Sequence, residues 1–454
     1  MAFVALLTKI LHKLEVDRAV FFGLLARLWS VIFAPVTILL IASKFSPELQ
    51  GYYYTFASLL ALQVFVELGL GIVVIQFASH EWSKLKISED GSIIGDKNAL
   101  SRLRSLANIT SKWYAVGALI VALGLGLGGY IFFQNSSSSI DINWVGPWFS
   151  LCFFTAGILF FVPAWSLLEG CNQVADVYFF RFFQGIISSL SIWIAILLGA
   201  KLWTASISTM MVLFWSIFFL GFKYLNFIKS LFFNNIPGDQ INWRKEIFPM
   251  QWRIALSWIS GYFIFSIFTP IIFRYHGSIV AGQFGMTWSI ASMVATVSGS
   301  WIFPKAPKFG MLIAEKRYVE LDILFWKIIK IFITITVSGA LAVWLGVYFL
   351  NKINHPFSSR ILPLLPTTIF LIAQVTTMLS LPFSVYMRAH KKEPIFLVSI
   401  AGGLAVGGAA FLLGKYSSII NIALGYLAIN LIIFPIILFI WNQCRLEWHL
   451  NGIQ

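Results

Sequence analysis

Twelve apolar stretches follow one another along the chain, and short polar segments separate them. About 20 predominantly apolar residues are enough to cross a bilayer as an α-helix. The pattern therefore predicts an all-α integral membrane protein of about 12 transmembrane helices. The predicted spans, numbered 1 to 12, cover residues 19–43, 51–78, 111–133, 147–168, 177–199, 203–224, 248–273, 279–302, 323–350, 361–386, 394–414 and 418–441.

The basic residues are distributed unevenly between the two sides of these spans. Only six of the 32 Lys and Arg residues fall in the odd-numbered connections, and Arg27 and Arg253 lie within spans 1 and 7. Nearly all the others lie in or beside the N-terminal segment, the even-numbered connections and the C-terminal tail. Because cytoplasmic loops retain Lys and Arg, this asymmetry predicts that both termini are cytoplasmic.

The composition supports a membrane protein. Hydrophobic residues make up 59% of the chain and charged residues 11%, against about 25% in an ordinary soluble domain. The net charge of +14 is explained by cytoplasmic loops that face anionic lipid headgroups, so no nucleic-acid partner is expected. Cys152, Cys171 and Cys444 lack the spacing of a metal site or a disulfide framework.

Internal similarity predicts two lobes of six spans each. Residues 51–59 resemble residues 282–290, which follow 231 positions later, and the turn 169–173 corresponds to the turn 388–392. Halves with an even number of spans share one orientation, as in transporters whose halves rock about a central cavity. The predicted division is an amphipathic surface helix (1–18), an N-terminal lobe (19–224), a cytoplasmic linker (225–247), a C-terminal lobe (248–441) and a cytoplasmic tail (442–454).

No motif in the chain indicates an enzyme. The sequence contains no P-loop motif, no pair of acidic residues in the middle of a span and no histidine at the centre of one. A membrane glycosyltransferase or polymerase would need catalytic carboxylates near a membrane face. We therefore keep an enzyme of that class only as a remote alternative, and we expect no cofactor.

Arg27 and Glu67 are candidate functional residues because charged groups inside a membrane are costly and seldom without a role. Glu67 is the only acidic residue well inside a predicted span, and both residues lie on the predicted cytoplasmic side of the midplane. Three interpretations remain open. The two residues form a structural ion pair; or Arg27 faces a water-filled cavity and binds an anion, with Glu67 positioning it or carrying a coupling proton; or Arg27 extends to the interface.

Arg253 has no obvious acidic partner in its own half. Its guanidinium therefore either binds an anion in the cavity or lies at the membrane interface. Arginine suits phosphate because its planar group binds two oxygens together and stays charged. Among the polar residues in or near spans, Gln63, Gln251 and Gln374 are candidates for hydrogen bonds to a substrate. Their alternative is hydrogen bonding between helices.

Three segments resemble a known family of transporters. Residues 46–53 (SPELQGYY) and 67–71 (ELGLG) resemble the first two spans of polysaccharide flippases in the multidrug/oligosaccharidyl-lipid/polysaccharide (MOP) exporter superfamily. Residues 251–263 (QWRIALSWISGYF) resemble the start of the C-terminal half in the O-antigen (Wzx-type) branch. The resemblance implies a MATE-like fold of two six-helix lobes.

The resemblance also implies a function. Such proteins move undecaprenyl-diphosphate-linked oligosaccharide from the cytoplasmic to the periplasmic leaflet of the bacterial inner membrane by alternating access. Related lipid II flippases grip the diphosphate with arginines of the first and seventh spans, to which Arg27 and Arg253 correspond. Proton or sodium coupling is implied, and a polysaccharide polymerase is an expected pathway partner. The main alternative is a multidrug or small-solute antiporter of the same fold, which would need acidic residues for cationic substrates.

Overall fold

The computed structural model describes residues 18–135, 142–232, 238–390 and 392–451. The surface helix predicted for residues 1–18 therefore lies outside the described residues, apart from Arg18. Ten helical segments are long and apolar enough to cross a bilayer. One further pair, Pro47–Glu67 with Leu70–Trp82, meets the same test together across a bend of 44°.

One of the ten segments contains two spans. Trp243–Ala314 has 72 residues, and as one helix it would be about 108 Å long, more than three times the thickness of the hydrocarbon core. It is interrupted at Gly277, whose φ of 89° and ψ of 168° are not helical. This turn lies between the predicted end of span 7 at residue 273 and the predicted start of span 8 at residue 279. With this segment divided at Gly277 and the bent pair counted as one span, the described residues provide twelve candidate spans, the number that the sequence predicts.

The helices of spans 1 to 6 include two interruptions that the sequence did not predict, a break in span 2 and a π-helical turn in span 3. A small hairpin connects spans 2 and 3 through the antiparallel strands Leu85–Ile87 and Ile93–Gly95. The helices are Arg18–Lys44 (span 1), Pro47–Leu60, Val64–Glu67 and Leu70–Trp82 (span 2), Lys97–Leu119, π-helical Ile120–Leu125 and Gly126–Gln134 (span 3), Val145–Gly170 (span 4), Val174–Leu197 (span 5) and Trp203–Lys223 (span 6), with the short 3₁₀ turn Ala61–Gln63 and the connecting helix Leu225–Phe232.

Spans 7 to 12 open with a π-helical turn. The helices are π-helical Trp243–Ile247, Phe248–Phe265 and Phe268–Ile302 (spans 7 and 8), Tyr318–Lys352 (span 9), Leu364–Ala389 (span 10), Phe396–Tyr416 (span 11) and Ile419–Asn451 (span 12), with the 3₁₀ turns Phe303–Lys305 and Pro356–Arg360 and the connecting helix Ala306–Ala314.

Proline explains the break in span 7. The first helix ends at Phe265, the second begins at Phe268, and Pro270 lies two residues beyond. Because proline has no N–H and its ring collides with the carbonyl four residues earlier, the helix is disrupted at Ser266. Span 7 is therefore interrupted just before Pro270. Pro35, by contrast, lies inside the uninterrupted helix of span 1.

The chain divides into two compact units. Among the described residues, the first comprises residues 18–44, 60–135, 142–232 and 238–258, and the second comprises residues 45–59, 259–390 and 392–451. The core of the first unit is built around side chains such as Leu70, Tyr114 and Leu167. The second contains a core around Phe309, Phe325 and Tyr386. The lobes proposed from the sequence, 19–224 and 248–441, stay a prediction.

Salt bridges in the first unit join the ends of spans that the charge pattern places on one side. Arg102 at the start of span 3 contacts Glu81 at the end of span 2 (2.8 Å) and Glu246 before span 7 (2.6 Å). Lys223 at the end of span 6 contacts Asp176 at the start of span 5 (2.6 Å). These contacts connect the predicted cytoplasmic ends, so the alternation of the helices within the unit agrees with the charge pattern.

In the second unit, the N-terminal part of span 2 packs against the start of span 8 through equivalent residues of the two halves. A Cβ on Gly51 would overlap the carbonyl oxygen of Ser278, and a Cβ on Gly282 would lie 3.0 Å from the carbonyl oxygen of Pro47. The offset of 231 residues relates Pro47 to Ser278 and Gly51 to Gly282. The contact is therefore reciprocal, as it must be when a two-fold axis relates the two segments.

Candidate functional site

The motif ELGLG forms a break in span 2. Leu68 (φ 48°) and Gly69 (φ 66°) both adopt the left-handed conformation, so the helix ends at Glu67 and resumes at Leu70. Glycine enters this region readily, whereas a leucine there is uncommon and strained. Strain of this kind, of the order of 1–3 kcal/mol, concentrates at functional sites.

Spans 3 and 7 support this break from two sides. The indole Nε1 of Trp113 donates a hydrogen bond of 2.9 Å to the carbonyl oxygen of Val66. In a continuous helix that oxygen would accept from Leu70, which lies beyond the break. On the other side, a Cβ on Gly69 would overlap the side chain of Ile254. The break thus lies directly against span 7, one residue from Arg253.

Glu67 and Gln63 are half-buried beside this break. They are four residues apart, a separation that would place them on the same face if the turns between them are helical. Arg253 is exposed, and its guanidinium lies 5.5 Å from the ring of the adjacent Trp252. Gln251 is buried, with 3% of its surface exposed. Four of the six predicted site residues therefore belong to the surroundings of one helix break.

Arg27 is also exposed, in the middle of span 1. Span 1 packs against span 5 through Phe22, which meets Phe179 edge-on at 5.0 Å, and Trp29, which donates a hydrogen bond of 3.2 Å to Ser189. At 100° per residue, Arg27 lies about 140° around the helix from Phe22 and 160° from Trp29. Its side chain therefore leaves the helix away from this packed face.

Within the described ranges, no salt bridge joins Arg27 to Glu67, and neither Arg27 nor Arg253 contacts a carboxylate within 4.0 Å. The described residues also contain no group of three His, Cys, Asp or Glu side chains that could hold a metal ion.

Gln374 belongs to a different environment, in the second unit. It is 6% exposed, and its buried Oε1 accepts no hydrogen bond from the described protein atoms. One turn later, the Thr377 hydroxyl donates to Asn430 Oδ1 (2.8 Å) and lies 3.1 Å from the Tyr426 hydroxyl. Asn430 in turn donates to the Tyr426 carbonyl (2.8 Å). Gln374 thus lies buried one turn before an uncharged polar cluster of spans 10 and 12.

Sequence reasoning did not identify Trp113, the strained Leu68 or the cluster partner Thr377. Gly69 permits close packing of Ile254, since a Cβ at this position would overlap that side chain. Its positive φ, however, also makes it part of the helix break. The available signal was an acidic residue followed closely by two glycines inside an apolar stretch. Nothing in the local sequence indicates that Trp113 bonds to the broken turn.

Comparison with solved structures shows the same architecture at low sequence identity. The chain aligns with an inward-facing multidrug resistance MATE family transporter of the MOP superfamily with a TM-score of 0.65 and 13% identity, covering 92% of this chain and 95% of that one. It carries the MOP transporter fold. No family model matches the chain, and no curated protein matches it significantly.

Two further structures with this fold align with similar coverage. The MATE multidrug transporter DinF-BH gives a TM-score of 0.58 at 11% identity, with 94% of this chain and 95% of that one covered. A MOP superfamily transporter from Pyrococcus furiosus, described as having a binding pocket of reverse polarity, gives 0.56 at 11% identity, with 95% of both chains covered. At these identities the likeness establishes the fold.

Proposed function

We propose that this protein is a flippase that moves an undecaprenyl-diphosphate-linked oligosaccharide from the cytoplasmic to the periplasmic leaflet of the bacterial inner membrane by alternating access. The observation that carries the proposal is the pair of exposed arginines within spans 1 and 7, neither of which contacts a carboxylate in the described structure. The MOP transporter fold supports a transporter rather than an enzyme.

The chemistry of the substrate explains why arginine is suitable. A sugar diphosphate cannot cross hydrocarbon unaided, whereas a polyprenyl tail can stay in the lipid. An unpaired guanidinium inside a bilayer costs about 2.5–3.5 kcal/mol on insertion scales, and a diphosphate oxygen pair removes that cost while it is bound. Arg27 and Arg253 therefore each gain from the anionic headgroup. Gln63 and Gln251 would serve the sugar hydroxyls.

The fold comparisons favour one second candidate, a multidrug antiporter, because two of the similar structures are MATE multidrug transporters. Such a protein needs acidic residues to hold cationic substrates. The charges exposed within spans 1 and 7 are basic, and Glu67 is half-buried. The Pyrococcus furiosus protein, for which a different function was suggested from the polarity of its pocket, shows that the fold accommodates such a change.

Deletion of the gene in its host tests the proposal. We expect surface polysaccharide to disappear while complete lipid-linked repeat units accumulate on the inner leaflet, because assembly precedes translocation. Complementation with the wild-type chain should restore both. An antiporter predicts normal surface polysaccharide with altered drug susceptibility, and an enzyme predicts incomplete repeat units; either result would overturn the proposal.

A further inference from the structure

Span 9 carries lysines on an apolar face that points away from the protein. Five residues of this helix are spaced by four, three, one and three positions and therefore occupy one side of it: Val319, Ile323, Trp326, Lys327 and Lys330. Val319, Ile323 and Trp326 are 74%, 66% and 44% exposed, and both lysines are exposed as well. A helix in a bilayer usually presents only apolar residues on such a face.

This face lines most of a groove to which span 12 contributes Arg445. The groove has a volume of about 790 Å³, and Ile331, Asp322 and Arg445 complete its lining. Asp322 accepts hydrogen bonds from Arg445 and from the Tyr386 hydroxyl (3.3 Å). Its carboxylate is therefore already engaged by the protein. In the part of the chain that the structure describes, no salt bridge involves Lys327 or Lys330.

The groove lies at the end of the second unit that the charge pattern assigns to the cytoplasm. Three residues meet here: Asp322 near the start of span 9, Tyr386 near the end of span 10 and Arg445 near the end of span 12. The connections at this end include Lys305, Lys308 and other basic residues. Trp326 lies on the open face. Tryptophan is enriched at the level of the lipid headgroups, because its ring is partly apolar and partly polar.

We propose that this groove binds one anionic phospholipid of the cytoplasmic leaflet. The phosphate contacts Lys327 and Lys330, and an acyl chain lies along Ile323, Trp326 and Ile331. Three cationic side chains and one carboxylate, which is already hydrogen-bonded, line the groove. The groove therefore has a net positive charge, which favours an anionic headgroup over a zwitterionic one. The exposed apolar side chains can pack against a hydrocarbon chain, whereas a soluble phosphate would make no contact with them.

Binding of defined lipids to the purified full-length protein tests this proposal. We expect phosphatidylglycerol to bind and to raise the melting temperature in detergent, and phosphatidylcholine or inorganic phosphate to have little effect. Because each lysine near an anionic surface contributes about 1 kcal/mol, the double variant Lys327→Gln/Lys330→Gln should bind phosphatidylglycerol roughly 30-fold more weakly. Lys352→Gln, at the other end of the same helix, is the matched control and should bind normally.

Two results would overturn the proposal. One is equal binding of phosphatidylglycerol by the wild type and the double variant; the other is a response to inorganic phosphate as large as the response to the lipid. The melting temperature without added lipid reports whether the double variant is folded. If that variant is unstable, Lys327→Arg/Lys330→Arg provides the second test, since it keeps both charges and should retain lipid binding, whereas Lys330→Gln alone should lose part of it.

Discussion

The two compact units treat polar side chains within the membrane spans differently. In the first unit, Arg27 and Arg253 are exposed, and Glu67 is half-buried at a helix break. In the second, Thr377 and Asn430 are largely buried and hydrogen-bond to each other in uninterrupted helices. At the first of these places charged groups remain accessible, and at the second neutral groups satisfy one another.

Solvation energy accounts for this difference. A neutral hydroxyl or amide can replace its bonds to water with bonds to a neighbouring helix, and the pair adds modestly to stability. A guanidinium has five donors and a full charge, so it needs water or an anion. Arg27 and Arg253 in the first unit are therefore suited to binding, and the Thr377–Asn430 pair in the second is suited to packing. Four predictions test this contrast.

The largest effect is expected for the arginines of the first unit. Under the proposed function, Arg27→Ala and Arg253→Ala each remove charge-assisted hydrogen bonds worth about 1.5–3 kcal/mol, so substrate affinity should fall roughly 10- to 100-fold. Glycan export in complemented cells and binding of a lipid diphosphate to the purified variants provide the measurements. Arg317→Ala, on an exposed connection, is the control, and normal export by both alanine variants at wild-type levels would remove the arginines from the site.

The next largest effect concerns the break in span 2. Gly69→Ala places a side chain at φ 66° and against Ile254, so the free energy of unfolding should fall by about 1–3 kcal/mol. Gly261→Ala in span 7 is the matched control, because no atom lies within 4 Å of its added Cβ. Thermal unfolding in detergent compares them. Equal melting temperatures for the two variants would show that the break is not rigidly held.

A smaller loss is expected in the second unit. Thr377→Val keeps the shape of the side chain but leaves Asn430 Oδ1 without this donor, so the protein should lose about 0.6–1.7 kcal/mol of stability. Transport at a permissive temperature should continue, since the cluster is assigned to packing. A variant with full stability and lost transport would reverse the contrast between the units.

The smallest effect on stability is expected for Glu67→Gln. No described cation pairs with this carboxylate, so the change in unfolding free energy should stay within about 0.5 kcal/mol. If Glu67 carries the coupling proton, export should lose its dependence on the proton gradient while substrate binding persists. Destabilisation of about 3 kcal/mol or more, measured by thermal unfolding, would instead indicate that a buried ion pair had been broken.

The sequence predicted the spans well because each depends on local composition. The turn at Gly277 lies in the predicted connection between spans 7 and 8. The site was predicted less completely. Arg27, Arg253 and Glu67 are conspicuous as charges in apolar segments, but their distances from one another depend on how helices pack.

Hydrophobic length and basic connections by themselves determined twelve crossings and their alternation, because the bilayer imposes a fixed thickness and cytoplasmic loops retain positive charge. The tertiary structure alone decided that Trp113 bonds the broken turn at Val66, that Ile254 packs on Gly69 and that Gln374 lies buried one turn before a neutral cluster. Those outcomes depend on contacts between helices distant in sequence, and many different pairs of apolar surfaces satisfy the same hydropathy pattern.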